Sequence, residues 1–309
     1  MGGARKTGRR AAVVLAAAAA LATPVALAGE GTVPNPPWPQ ALPPGSALTS
    51  VQPHPVRNCR HADIGCVDLL ASRLRGQWQR FDRTCDHRAV ISYSYLQITR
   101  GLRADLALPH PGLVKYRRWM TYLITAFSNR YWAAFRAWRE HRPLPEGWRI
   151  AFQTAAHGDA NAGQDVLLFS NVHVQHDLPL AYERMGLRAP NGASHKPDHD
   201  AVNEVNARVF NPIEDYIAAH YDPMFEQIDA KPSPLDEIGT LELVKSWREQ
   251  AWRSAERLLA AKTPEEHAQV MAQINETTNA WAHLIAGGGT PGHRAERDAW
   301  CQEHHASNG

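Results

Sequence analysis

Cysteine is scarce in this chain, with four residues among 309, and no two stand in C-x-x-C spacing. That argues against a zinc ribbon or a redox-active dithiol. An excess of one charge is lacking too. The 33 basic and 31 acidic residues leave a formal net charge of +2, too little to mark a nucleic-acid-binding protein. Beyond residue 28 no apolar run is long enough to cross a bilayer. Sustained apolar–polar alternation and a G-x-G-x-x-G turn are missing, so nothing supports a sheet or a dinucleotide fold. G-x-S-x-G, H-E-x-x-H, a P-loop and the E-x-x-H pair of di-iron bundles are absent as well.

What is present begins with an export signature. Arg5, Lys6, Arg9 and Arg10 precede the apolar run 11–22, and Ala26-Leu27-Ala28 is a small-x-small cleavage site. Residues 1–28 therefore read as a signal peptide of a secreted, extracytoplasmic protein. Arg9-Arg10 admits the twin-arginine route, but the residues after it fit loosely, so the Sec route is favoured. Residues 29–60 hold eight prolines between Pro34 and Pro55 and read as an extended arm. The body is 61–309. In an exported protein four cysteines suggest two disulfides, and the spacing favours Cys59–Cys66 as a local ring and Cys85–Cys301 as a tie for the C-terminal tail.

Almost all of 61–309 carries helical periodicity, so the expected fold is all-α: a single multi-helix, bundle-like domain around a buried central helix. Helices are expected from Asp63 to Arg80, from an N-cap at Thr84 to about Leu106, through Met120 to Trp138, between Pro145 and Gly158, from about Gln164 to Met185, and from Asp198 through Ile217. Two more fill the C-terminal part, the second opened by Thr263-Pro264-Glu265-Glu266 and stopped at Gly287. The 164–185 segment is the central one, because its apolar residues fall on every side.

His173 and Asp177 sit inside that segment, four apart and so on one face. A carboxylate removed from water must be hydrogen-bonded, paired or bound to a metal. Asp177 is either the partner of a core-locking His–Asp hydrogen bond or, with His173, half of a divalent-metal site. His176 lies close to the same side. Asp198, His199 and Asn206 face inward by helical phase, with Asp200 and Asn203 further round. Asp198 also suits an N-cap. Asp86 and Arg88 open a helix, where an acid is ordinary. His157 ends a helix and complements its dipole. The run Arg117, Arg118, Trp119, Tyr122, Arg130, Tyr131, Trp132, Arg136, Trp138, Arg139 mixes aromatics and arginines as a single-strand binder would, but its spacing assigns the aromatics to the core and the arginines to solvent.

Several of these residues carry a resemblance. Cys85-Asp86-x-Arg88-Ala89, Tyr95-Leu96-x-x-Thr99, Trp148-x-x-Ala151-Phe152, Asn171-x-His173-x-x-x-Asp177-Leu178-Pro179 and Asp198-x-Asp200-x-x-Asn203 resemble the bacterial family catalogued as domain of unknown function 5995. It implies a helical protein and supplies no activity. A weaker likeness is to the zinc-dependent phospholipase C and single-strand nuclease group, exported helical proteins that also carry H-x-x-x-D. This chain departs from them in having His199-x-x-x-Asn203 where H-x-x-x-E belongs.

Three functional readings follow. In the first, Zn2+ held by His173, Asp177, His199 and Asp198 or Asp86 activates water for ester or phosphoester hydrolysis, with Asp200 as base and Arg88 steadying the anion. In the second the same residues form a buried polar network in a non-catalytic scaffold. In the third the protein binds a small apolar ligand in a cavity lined by tryptophans. The partner in each case is a small molecule or a cell-envelope ligand, not nucleic acid.

Overall fold

Helix-forming periodicity over most of the chain becomes helix almost everywhere in the computed structural model, which describes residues 55–109, 112–158, 160–223, 239–288 and 292–304. In chain order the helices are α1 (Ile64–Asp82), α2 (Arg88–Ala107), α3 (Arg117–Arg139), α4 (Glu146–His157), α5 (Ala162–Val172), α6 (Leu178–Met185), α7 (Lys196–His220), α8 (Thr240–Ala260), α9 (Pro264–Ala286) and α10 (His293–His304). No strand occurs among the described residues, so the all-α expectation holds. The expected signal peptide and the arm as far as residue 54 lie outside the described residues.

Local chemistry sets most of the boundaries. Val67, Leu70 and Leu74 give α1 its buried stripe. Pro145 immediately precedes α4, and Gly158 ends it in the left-handed conformation at φ 73°. Asn161 and Gln164 cap α5 reciprocally through side chain and backbone. Thr263 caps α9 by accepting the Glu266 N–H. Three expectations need correction. Thr84 does not cap α2: its hydroxyl bonds the Phe81 carbonyl, and Asp86 accepts the Arg88 N–H instead. Asp198 lies inside the first turn of α7, which begins two residues earlier than expected. The C-terminal part holds a third helix, α10, beyond the glycine stop.

The segment α5–α6 runs through the middle and packs against α2, α3, α4, α8 and α9. Leu168, Val172, Ala181 and Met185 on it are fully buried. It is not one regular helix. Between α5 and α6, residues His173–Asp177 form a π-helical turn, closed by the Leu178 N–H on the His173 carbonyl. Pro179 explains why: it has no N–H, and its ring crowds the carbonyl four residues back, so a wider turn ahead of it relieves the clash.

Both favoured disulfides are present. Cys59–Cys66 fastens residues 55–60, and Cys85–Cys301 joins the start of α2 to α10. A buried charge cluster seats α10 further. Arg297 reaches Asp165 at 2.9 Å and Asp222 at 3.4 Å, and His293 reaches Asp222 at 3.1 Å.

Candidate functional site

The π turn places His173, His176 and Asp177 in the core beneath Trp148 of α4. The Asp177 carboxylate collects three N–H donors: His173 Nδ1 at 2.9 Å and Trp148 Nε1 at 3.1 Å on one oxygen, His176 Nδ1 at 2.8 Å on the other. Burial pushes this carboxyl up, but the hydrogen bonds from His173 and His176 outweigh it and hold the group ionised. Burial drives His173 the other way, toward its neutral form, against the pull of Asp177. A neutral ring that donates from Nδ1 accepts at Nε2, and Tyr95 Oη lies there at 3.2 Å. Phe127 stacks on the imidazole with centroids 3.6 Å apart. Both ring nitrogens of His173 are thus engaged.

The remaining residues singled out from the sequence lie elsewhere. The Asp198 carboxylate accepts the backbone N–H groups of Lys115 and Tyr116, both at 2.7 Å, and anchors the chain entering α3. Asp105 does the same for Leu113 and Val114. Asp86 holds Arg88 through paired side-chain bonds and acts electrostatically on His87 and Asp165, at the α10 end of the molecule. Asp86 lies just ahead of α2, and Tyr95 is seven residues along that helix from Arg88, about 10 Å at 1.5 Å per residue. None of Asp86, Arg88, Asp198, His199 or Asp200 bonds His173 or Asp177, so the five-residue metal set is not brought together.

His199 forms a group of its own. Its Nδ1 meets Tyr182 Oη at 2.5 Å. Burial, then Arg248 and Lys196, keep the imidazole well below its ordinary pKa and so neutral. Ligand atoms of His199, Asp200 and Glu249 lie within 4.8 Å of one another, a spacing that suits a cation. A cation is already there: the Lys196 ammonium lies 2.5 Å from Asp200 Oδ1 and 2.7 Å from Glu249 Oε2.

Beside His173 the packing leaves a cavity of about 100 Å³ among α1, α2, α3, the π turn, α7 and α8. Leu102, Met120, Leu123, Ile124 and Phe127 supply much of its wall, and no tryptophan lines it, contrary to expectation. Two polar residues on the wall stand out. Asn206 is buried with an unpartnered Oδ1. Arg248 is 7% exposed, and its guanidinium donates to the Asn203 side chain at 2.7 Å and the His199 carbonyl at 2.6 Å. No carboxylate lies within ion-pair distance of it among the described residues. Sequence reading passed over Arg248 and Tyr182, and took Trp148 only as part of a family motif. Each sits at helical spacing among apolar residues, and long-range partners leave no local pattern.

A family model described as a family of unknown function (DUF5995) matches residues 67–287. The chain belongs to this family. The match extends past the motifs that carried the resemblance and takes in α8 and α9, and with them Arg248. Comparison with curated proteins and with solved structures returned no match, so the likeness to zinc phospholipases and nucleases remains an analogy of residue spacing.

Proposed function

We propose that this is an exported, non-catalytic binding protein for a small apolar molecule bearing one carboxylate, with the His173–Asp177 network as a structural lock beside the site. The observation that carries the reading is Arg248. A guanidinium taken out of water with no carboxylate within ion-pair distance is costly, and here, bonded to Tyr182 and with Asp200 as its more distant acid, it lies on the wall of a largely apolar cavity. A ligand carboxylate supplies the missing charge, while the Leu102, Leu123 and Phe127 side of the cavity takes the apolar part. The cavity is smaller than the cavity of about 150 Å³ that holds benzene, so its walls must give as a benzene-sized ligand enters. Export, with residues 1–28 removed by the Sec pathway and 29–60 as an arm ahead of the 61–309 body, is supported by the two disulfides and by the lack of a helix long and apolar enough to cross a membrane among the described residues.

Thermal denaturation with benzoate, benzene and benzylamine tests the binding site. Benzoate should raise the melting temperature most, benzylamine least, and Arg248→Gln should remove the advantage of benzoate over benzene. If none of the three shifts the transition, or benzylamine matches benzoate, the reading fails. N-terminal sequencing of protein recovered from the culture medium tests export.

A second reading has one observation behind it, the His199, Asp200 and Glu249 group. Zn2+ bound there would make the protein a metal-assisted ester or phosphoester hydrolase. The ion must displace the Lys196 ammonium to bind. Elemental analysis of wild type and Lys196→Ala decides between them: zinc in both favours this reading, and zinc in neither removes it.

A further inference from the structure

A groove of about 580 Å³, which shares no lining residue with that cavity, opens between α1, α3 and the 57–58 turn. Five arginines line it: Arg57, Arg73, Arg80, Arg136 and Arg139. All five are exposed, and none has a carboxylate within ion-pair distance among the described residues. The single acid on the wall, Glu140, is committed to Arg142 at 2.7 Å. Helix C-termini favour basic residues, which accounts for Arg80 in the last turn of α1 and for Arg136 and Arg139 in that of α3. It does not account for Arg73 in mid-helix or Arg57 on the turn.

The crowding has an electrostatic signature. The Arg73 guanidinium is held below its ordinary pKa by partial burial and then by the like charges of Arg57 and Arg136. Arg73 also lies over the Trp132 ring, 4.4 Å from its centroid, and the buried Trp132 Nε1 donor has no partner. Uncompensated guanidiniums around a trough, with an idle N–H at its wall, call for an acceptor-rich polyanion.

We infer that this groove binds a linear phosphate polymer that carries no bases. Guanidiniums suit phosphate because they pair with it in bidentate fashion, and five of them along a groove match repeated anions better than one. Nucleic acid fits less well. Single strands need aromatic faces on which bases stack, and here the Trp132 face is covered by Arg73 while Phe135 is buried. The site is separate from the Arg248 cavity and stands or falls without it.

Titration of the full chain with inorganic polyphosphate, followed by tryptophan fluorescence at several salt concentrations, tests the inference. Wild type should bind, and Arg73→Gln with Arg136→Gln should weaken binding roughly tenfold or more and flatten the salt dependence. The double variant should melt as wild type does, since it relieves repulsion; if it does not fold, Arg57→Gln with Arg139→Gln takes its place. No binding of polyphosphate, or full affinity in the variants, overturns the proposal. Equal or tighter binding of oligothymidylate overturns it in favour of a nucleic-acid groove.

Discussion

The indole N–H of Trp148 donates to Asp177 across 3.1 Å, joining residues 29 apart in the chain and tying α4 to the π turn. Asp177 is 3% exposed, and three such donors hold its carboxylate. Removing the carboxylate orphans three N–H groups at once. Asp177→Ala should therefore cost about 3–5 kcal/mol, the range for breaking a buried charged network. Trp148→Phe keeps most of the ring and deletes one donor, so its cost should be nearer ~1–3 kcal/mol. Urea denaturation measures both. An Asp177→Ala protein as stable as wild type would mean that the network does not lock the core.

The buried imidazoles set the response to acid. Burial holds His195 at about 4, and burial followed by the charge of Arg297 holds His87 at about 4, both below the ordinary 6.5. Such groups take up protons more readily once unfolded. Stability is thus lost as pH falls from about 6.5 toward about 4. His173 and His199 are lowered too and add to the trend. Asp165 opposes it. Burial raises its carboxyl to about 6, so its proton is bound more tightly in the fold, and its contribution declines as pH rises from about 4 to about 6. Burial raises the Asp198 carboxyl as well, with the same sign. With four imidazoles against two carboxyls, the melting temperature should drop on acidification across this window. A profile that climbs toward pH 4 contradicts this account.

His195 offers a sharper test of the same idea. Both its ring nitrogens are buried without a partner, and the ring stacks on Trp119 with centroids 4.1 Å apart. Phenylalanine keeps the stack and removes the unpaired nitrogens. His195→Phe should stabilise the protein by about 1–3 kcal/mol and make its melting temperature less sensitive to acid. Loss of stability at neutral pH would reveal a role for the imidazole that its surroundings do not show.

Two devices secure α10, and they should separate experimentally. The Cys85–Cys301 bond spans 216 residues, and a chain-entropy estimate for such a loop is about 5 kcal/mol. Arg297→Met leaves Asp165 and Asp222 buried without their guanidinium and should cost about 3–5 kcal/mol. Denaturation of Cys85→Ala/Cys301→Ala and of Arg297→Met measures each. If the disulfide variant loses less than about 1 kcal/mol, the cluster alone is enough to seat the helix.

Helical periodicity made the fold class legible, and the glycine after α4 and the proline before it marked that helix closely. The cysteine spacing led to the observed pairing. The sequestration of His173 and Asp177 was legible too, because apolar residues surround them on all sides. What filled Asp177's bonds was not: Trp148 comes from another helix, and its indole looks like any core aromatic in the sequence. Asp198 shows the same limit. A first-turn acid predicts service to its own helix, yet its carboxylate serves the chain entering α3. The helix α10 was missed because its buried side is built from His293, Arg297 and Cys301 rather than from an apolar stripe.

A π turn holds one residue more than regular winding would, and each α-helical residue advances the chain by about 100° around its axis. Everything after Asp177 is rotated by that amount relative to an uninterrupted helix. Leu178 and Tyr182, which help wall the cavity, owe their aim to this single surplus position. Deleting one residue in 173–177 would remove the surplus and leave both side chains aimed as they are, whereas winding the same residues as regular α-helix would swing them out of line with Arg248.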